Sequence, residues 1–110
     1  RSPQEPVKLL LRQTREAELH ILKLSAWWRT HREKAPNLFR DQLAAAFAYL
    51  AENPLAGEPY RRRGFKDIRR YHLKKTPYHI YYLPRMDQGD VVIVAVWSGM
   101  RKKGPTILMP

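Results

Sequence analysis

Residues 67–99, DIRRYHLKKTPYHIYYLPRMDQGDVVIVAVWSG, decide the fold. Three runs inside this stretch, Asp67–Leu73, Tyr78–Leu83 and Asp90–Trp97, are rich in Val, Ile, Tyr and Trp, the residue types that fit a pleated, half-buried surface. Lys74–Pro77 and Arg85–Gly89 carry the turn residues between them. The pattern predicts a meander of three antiparallel strands.

Hairpin arithmetic then sorts the side chains. A four-residue first turn sets Leu73 opposite Tyr78, His72 opposite His79, Tyr71 opposite Ile80 and Arg70 opposite Tyr81. Closing the second turn with Pro84 against Asp90 sets Tyr82 opposite Val92, Ile80 opposite Val94, Tyr81 opposite Ile93 and His79 opposite Ala95. Because successive side chains alternate sides, one face carries Tyr71, Leu73, Tyr78, Ile80, Tyr82, Val92, Val94 and Val96 and is the buried one. The other carries Arg70, His72, His79, Tyr81, Ile93, Ala95 and Trp97, a basic, imidazole and aromatic mixture suited to recognition. A slip of one residue in either turn would exchange the two sets.

Outward from the meander, Leu55–Gly64 (LAGEPYRRRG) reads as an irregular connection, and Asn53-Pro54 ends what precedes it. Before that lie two helical patterns. Thr14 is placed to cap the first, with Glu16 and Glu18 in its opening turn, where the helix dipole favours anions. Ala17, Ile21, Leu24 and Trp28 recur at helical spacing over a segment reaching about Lys34. Ala35-Pro36-Asn37 breaks it, Asn37 opens the second helix, and Phe39, Leu43, Phe47 and Leu50 form its stripe. Ala44, Ala45, Ala46 and Ala48 allow close approach of the two. Val7–Arg12 (VKLLLR) is a short β-compatible run that adds a fourth strand, and residues 1–6 read as a loose tail ahead of a single domain over 7–110. Strand, helix pair and three antiparallel strands together give an α+β sandwich, a two-helix hairpin on one face of a four-stranded, mainly antiparallel sheet.

Composition bounds the function. A chain of 110 residues holds one core, and 44% hydrophobic residues exclude intrinsic disorder. No apolar run is long enough to cross a bilayer, the first residues show no signal-peptide pattern, and there are no cysteines, all consistent with a cytoplasmic protein. The four histidines lack metal-ligand spacing, so neither a metal nor another cofactor is expected. Lys and Arg number 21 against 10 acids, for a net charge of +11. Eight of these cations fall between Arg61 and Lys75, and Arg101, Lys102 and Lys103 follow the last strand, so positive charge gathers around the sheet. Such a distribution points to a polyanionic or acidic partner.

Four stretches, AELHILKLSAWW (17–28), LAAAFAYLAENPLAGEP (43–59), IRRYHLKKTPYHIYY (68–82) and VVIVAVWSGMR (91–101), resemble in that order the RelE/ParE superfamily of toxins from bacterial type II toxin-antitoxin modules. The resemblance spans nearly all of residues 7–108. It implies an antitoxin partner whose acidic C-terminal segment wraps the toxin, and two branches of activity on one scaffold. RelE-like members cleave ribosome-bound mRNA without a metal. ParE-like members poison DNA gyrase and are not nucleases.

Under the RelE-like alternative, Arg70, His72, His79 and Arg101 stand where the family places basic catalytic residues. The imidazoles are suited to exchange protons near neutrality and the arginines to hold the phosphate. The segment RKKGPTILMP (101–110) lacks the Tyr or His that such nucleases carry near this end. A first helix of some twenty residues and the linker NPLAGEP match the ParE-like branch better, and that branch is favoured. Arg70, Tyr81, Trp97, Arg101 and Lys102 are then target-binding residues. Leu22, Trp27 and Tyr49, apolar groups off the main helical stripes, are candidate antitoxin contacts, with Val7–Leu11 as a sheet edge for strand addition. A basic nucleic-acid-binding module that kept the scaffold and lost the toxicity is the third reading.

Overall fold

A computed structural model describes residues 8–62 and 64–110; the expected tail at 1–6, and Val7 at the start of the expected first strand, lie outside them. Strand β1 spans Leu10–Gln13, helix α1 Arg15–His31, helix α2 Leu38–Glu52, β2 Glu58–Pro59, β3 Arg69–His72, β4 Tyr78–Arg85 and β5 Asp90–Ser98. The sheet order is β1-β5-β4-β3-β2. It therefore has five strands rather than four. It is also mixed, because β1 runs parallel to β5 in the register Leu10↔Asp90 to Gln13↔Ile93 while the other pairs are antiparallel. The fifth strand is a two-residue element inside the stretch expected to be irregular, too short to show a period in the sequence.

Local chemistry explains the helices. Thr14 Oγ1 accepts the Ala17 N–H at 3.2 Å, which satisfies one of the open donors of the first turn. The helix closes at His31 with the Arg32 N–H on the Trp28 carbonyl, three residues short of the expected end. Asn37 stands at the start of α2, but its side chain makes no capping bond. The stripes face the sheet: Ala17, Trp28, Phe39, Leu43, Ala46 and Leu50 are buried against Tyr78, Ile80, Tyr82, Val91, Ile93 and Val96, with Ile21, Leu24, Phe47 and Tyr71 packed around them. Trp28 Nε1 donates to the Tyr78 hydroxyl at 3.0 Å, which pins α1 to the end of β4 without leaving a buried donor open.

The first hairpin has the expected register, from Arg70↔Tyr81 to His72↔His79. The second does not. Arg85, not Pro84, closes against Asp90, and a bulge at Tyr81/Tyr82 shifts the pairing again, giving Tyr82↔Ile93 but Tyr81↔Ala95, so that Val94 is the extra residue. Two ion pairs account for the turn end: Asp90 accepts from Arg85 Nη2 at 2.6 Å and Nε at 2.7 Å, and from Arg12 Nε of β1 at 3.0 Å. The combined shift is even at the hairpin end, so Tyr78 and Ile80 keep their expected side. At the turn end it is odd, so Ile93 moves beneath the helices, while Val92 and Val94 move to the opposite face.

That opposite face is a second core. Ile68, Tyr81, Val92, Val94, Ala95 and Ile107 are buried together, with Tyr60, Phe65, Leu83 and Trp97 at the margin. Residues after β5 and before β3 thus cover much of what the alternation pattern had left open.

Asp90 clasps three strands while only 3% exposed. The bonds from Arg85, and then those from Arg12, hold its carboxyl below the usual range. A depressed folded-state value stabilises the protein above the unfolded carboxyl pKa of about 4 and loses that contribution as the pH falls through the folded-state value. Asp90→Asn is expected to lower the thermal midpoint by about 5 °C or more at neutral pH. It should also flatten the acid limb of the stability curve, both followed by circular dichroism.

Candidate functional site

Pairing of β2 with β3 sets Glu58 opposite Arg70, and pairing of β3 with β4 sets His72 opposite His79. These side chains stand on the face away from the helices, at the end of the sheet that the second core leaves open. Glu58 Oε1 accepts from Arg70 Nη2 at 2.6 Å and Nε at 3.1 Å, and lies 3.2 Å from His72 Nε2. A carboxylate only accepts, so this contact places the His72 proton on Nε2. The bonds from Arg70 and then from His72 lower the Glu58 pKa and keep it ionised, and the same carboxylate raises that of Arg70.

The His72 and His79 rings meet edge to face, with centroids 4.0 Å apart. Burial, followed by repulsion from His72 and Arg70, lowers the His79 pKa, so this imidazole is neutral at pH 7. Its Nδ1 is buried without a hydrogen-bond partner. Gly99 backs the ring: a Cβ there would fall 2.6 Å from Nε2 and 2.8 Å from Cε1. Gly99→Ala is therefore expected to push the His79 ring outward, returning its titration midpoint toward the ordinary value and moving its ring proton resonances. An unmoved His79 signal would refute that packing.

Trp97 pairs with His79 across the strands. Its Nε1 donates to the Lys103 carbonyl at 2.8 Å and the Arg101 guanidinium lies 4.3 Å from its ring centroid, so the indole is fixed as a seat for a cation. Arg101 and Lys102 are exposed beside it. Tyr81 is not a surface group: it is 4% exposed, packed edge-on under Tyr60 at 4.8 Å, and burial raises the pKa of its phenol. It forms the floor of the site, and Tyr60, with Arg70 at 5.7 Å over its ring, is the aromatic above it. Next to this group a cleft of about 770 Å³ is flanked by Arg61, Arg62, Lys66 and Arg69 over Phe65 and Ile68, which extends the cationic surface along the sheet edge.

The structure thus brings Arg70, His72 and His79 together, with Trp97, Arg101 and Lys102 on their flank. Glu58 is the functional residue that reading the sequence missed. Its only signal was an acid at the edge of a run of cations. Leu22, Trp27 and Tyr49 lie elsewhere, on the helices, and are 65%, 39% and 47% exposed. Trp27 stacks on His31 at 4.7 Å under Arg32, and Tyr49 leans on Tyr71 at 5.9 Å. Among the described residues no group of three or more His, Cys, Asp or Glu side chains is placed to hold a metal ion. No described helix is long and apolar enough to cross a membrane.

Comparison with known proteins follows the same lines. The family described as ParE toxin of type II toxin-antitoxin system, parDE, matches residues 11–103. No curated protein sequence gives a significant match. Among solved structures, the chain is similar to one in the RelBE2 toxin-antitoxin complex of Mycobacterium tuberculosis, at 23% identity and a TM-score of 0.63, covering 86% of this chain and 94% of that one. It is also similar to one in the chromosomal ParDE system of P. aeruginosa, at 14% identity and a TM-score of 0.68, covering 83% and 96%. A third is in the intact E. coli RelBE toxin-antitoxin complex, at 22% identity and a TM-score of 0.56, covering 84% and 99%. At these identities the structural likeness speaks for the fold.

Proposed function

Because the chain belongs to the ParE toxin family of type II toxin-antitoxin systems, within the RelE/ParE superfamily, we propose that it acts as a growth-inhibiting gyrase poison. In this reading it is a binder rather than a nuclease. The observation that carries the choice between the branches is the Glu58 carboxylate on Arg70 and His72. Metal-free RNA cleavage needs a free cation on the developing phosphorane and an acid for the leaving oxygen. Here the central arginine is engaged by a carboxylate in the resting site, and residues 101–110 supply neither Tyr nor His. Around Arg70 runs a cationic rim of Arg61, Arg62, Lys66, Arg101 and Lys102 with fixed aromatics, a surface for an acidic protein face or for DNA held by one. The ribosome-dependent nuclease is the second reading, favoured by the neutral His79 beside His72, an imidazole able to take a proton.

The antitoxin fits the other side of the molecule. β1 is an edge strand, and between it and α2 runs a groove lined by Leu9, Leu10, Leu11, Phe47, Ala48 and Ala51. A segment adding to this edge would lay apolar side chains in the groove, and acidic flanks would be drawn by the net charge of +11. Trp27, Leu22 and Tyr49 are further exposed apolar groups on the helices that a wrapping segment would meet beyond this groove. Both branches act in the cytoplasm, where this reading places the chain.

Regulated expression in bacteria tests the toxin reading. Growth should stop when the chain is made alone, plasmid DNA from the arrested cells should be relaxed, and a co-expressed cognate antitoxin should restore growth. Unchanged growth with the lone, soluble chain would overturn it.

A further inference from the structure

We infer that a phosphate site lies where α1 meets the end of β5, adjoining the open-face cluster and sharing Trp97 and Arg101 with its flank, in a recess that takes one phosphate group between His20, Lys23, Ser98 and Arg101. The recess measures about 80 Å³, with Leu24 and Trp97 among its walls. That is room for a tetrahedral oxyanion, with the rest of the ligand reaching out of the recess. No carboxylate lines it, and among the described residues neither Lys23 nor Arg101 has an acidic partner.

The backbone prepares this site. β1 ends at Gln13, and the Thr14 N–H makes its last bond to β5, on the Ile93 carbonyl at 3.0 Å. Past that point His20 stands in for the missing strand, with Nδ1 accepting the Val96 N–H at 3.2 Å. An accepting Nδ1 leaves the proton on Nε2, so the ring is a neutral donor whose tautomer is set by the sheet. Burial, then Lys23, then Arg101 hold the His20 pKa down, against an upward pull from Glu16 one turn earlier. Arg101 is positioned by its stacking on Trp97. Ser98 Oγ accepts the Met100 N–H at 3.1 Å, which leaves its hydroxyl proton to donate. Imidazole N–H, ammonium, guanidinium and hydroxyl thus border one recess whose lining holds no carboxylate, the donor set that a phosphate group satisfies.

The same chemistry comes from a free phosphate ester or from the backbone of a nucleic acid, and the site does not depend on gyrase being the target. The test is NMR titration of the His20 ring in the full chain with inorganic phosphate, against sodium chloride at matched ionic strength, followed by a nucleoside 5′-monophosphate and a short oligodeoxynucleotide. Phosphate should give a saturable shift and raise the His20 titration midpoint, and chloride should do neither. Lys23→Gln and Arg101→Gln, both at exposed positions, should each weaken phosphate binding about tenfold with an unchanged thermal midpoint. An oligonucleotide that binds more tightly than phosphate, and loses that advantage in Lys23→Gln, identifies a backbone phosphate; equal affinities identify a free ester. Identical responses to phosphate and chloride, or unaltered binding in both variants, would overturn the site. Loss of the site in Lys23→Gln, a residue outside the proposed target surface, with gyrase inhibition intact would leave the toxin reading standing.

Discussion

Arg70→Ala is expected to abolish growth inhibition, while Glu58→Gln strengthens it. Arg70 is half-buried in a cluster that joins β2, β3 and β4 on the helix-free face, so under the proposed function its guanidinium is both a target contact and the element that orders its neighbours. Truncating a charge held in a desolvated interface costs on the order of a hundredfold in affinity. Glu58→Gln works in the opposite direction, since it frees Arg70 and raises the net charge by one. For a polyanionic target both changes favour association and steepen its salt dependence. If instead both variants lost activity equally, the carboxylate would be a contact in its own right. Apparent affinity for gyrase, measured at two salt concentrations, reads the two signs.

Gly57→Ala should unfold the edge of the sheet. A Cβ at this position would fall 2.7 Å from the Tyr82 hydroxyl and 2.8 Å from the Arg70 carbonyl. The first neighbour is a buried side chain and the second is backbone, so neither yields cheaply. The Gly57 N–H donates to that hydroxyl at 2.8 Å and its carbonyl accepts from Arg69, so the clash breaks a buried hydrogen-bond relay as well as packing. Overpacking and an unmade buried bond together cost about 3 kcal/mol. For a domain of this size that is a fall of about 10–15 °C in thermal midpoint. Because Glu58 follows directly, the variant should also release the carboxylate from Arg70 and His72. A variant that melts within a degree or two of the parent would show that β2 is not held in this way.

These two expectations mark where the sequence was legible and where it was not. The register of the β3–β4 hairpin was legible, because a four-residue turn between two aromatic runs sets Tyr71, Ile80 and Tyr82 on one face. The next hairpin was not: the Arg85–Asp90–Arg12 clasp closes the turn one residue further along, which moves Val92 and Val94 across the sheet, and a bulge, which no periodicity announces, returns Val96 to the helix side. Tyr81 was misplaced for a related reason. What covers it, Tyr60, Phe65 and Ile107, comes from irregular segments whose destination only the tertiary structure sets. Glu58 was hidden because a two-residue strand has no pattern, and it is this carboxylate that ties Arg70 and His72 together. His20 carried a readable signal, since positions 17, 20, 21 and 24 share one helical face and a histidine among apolar residues there must find a partner.

The account stands or falls on what this surface does to its target. Supercoiling by purified gyrase and integrity of ribosome-bound mRNA should be followed in parallel with the wild-type chain and Arg70→Ala. The account predicts inhibited supercoiling, relieved by the substitution, and intact mRNA. Cleaved mRNA, protected by Arg70→Ala or His79→Ala, with gyrase untouched, would contradict it.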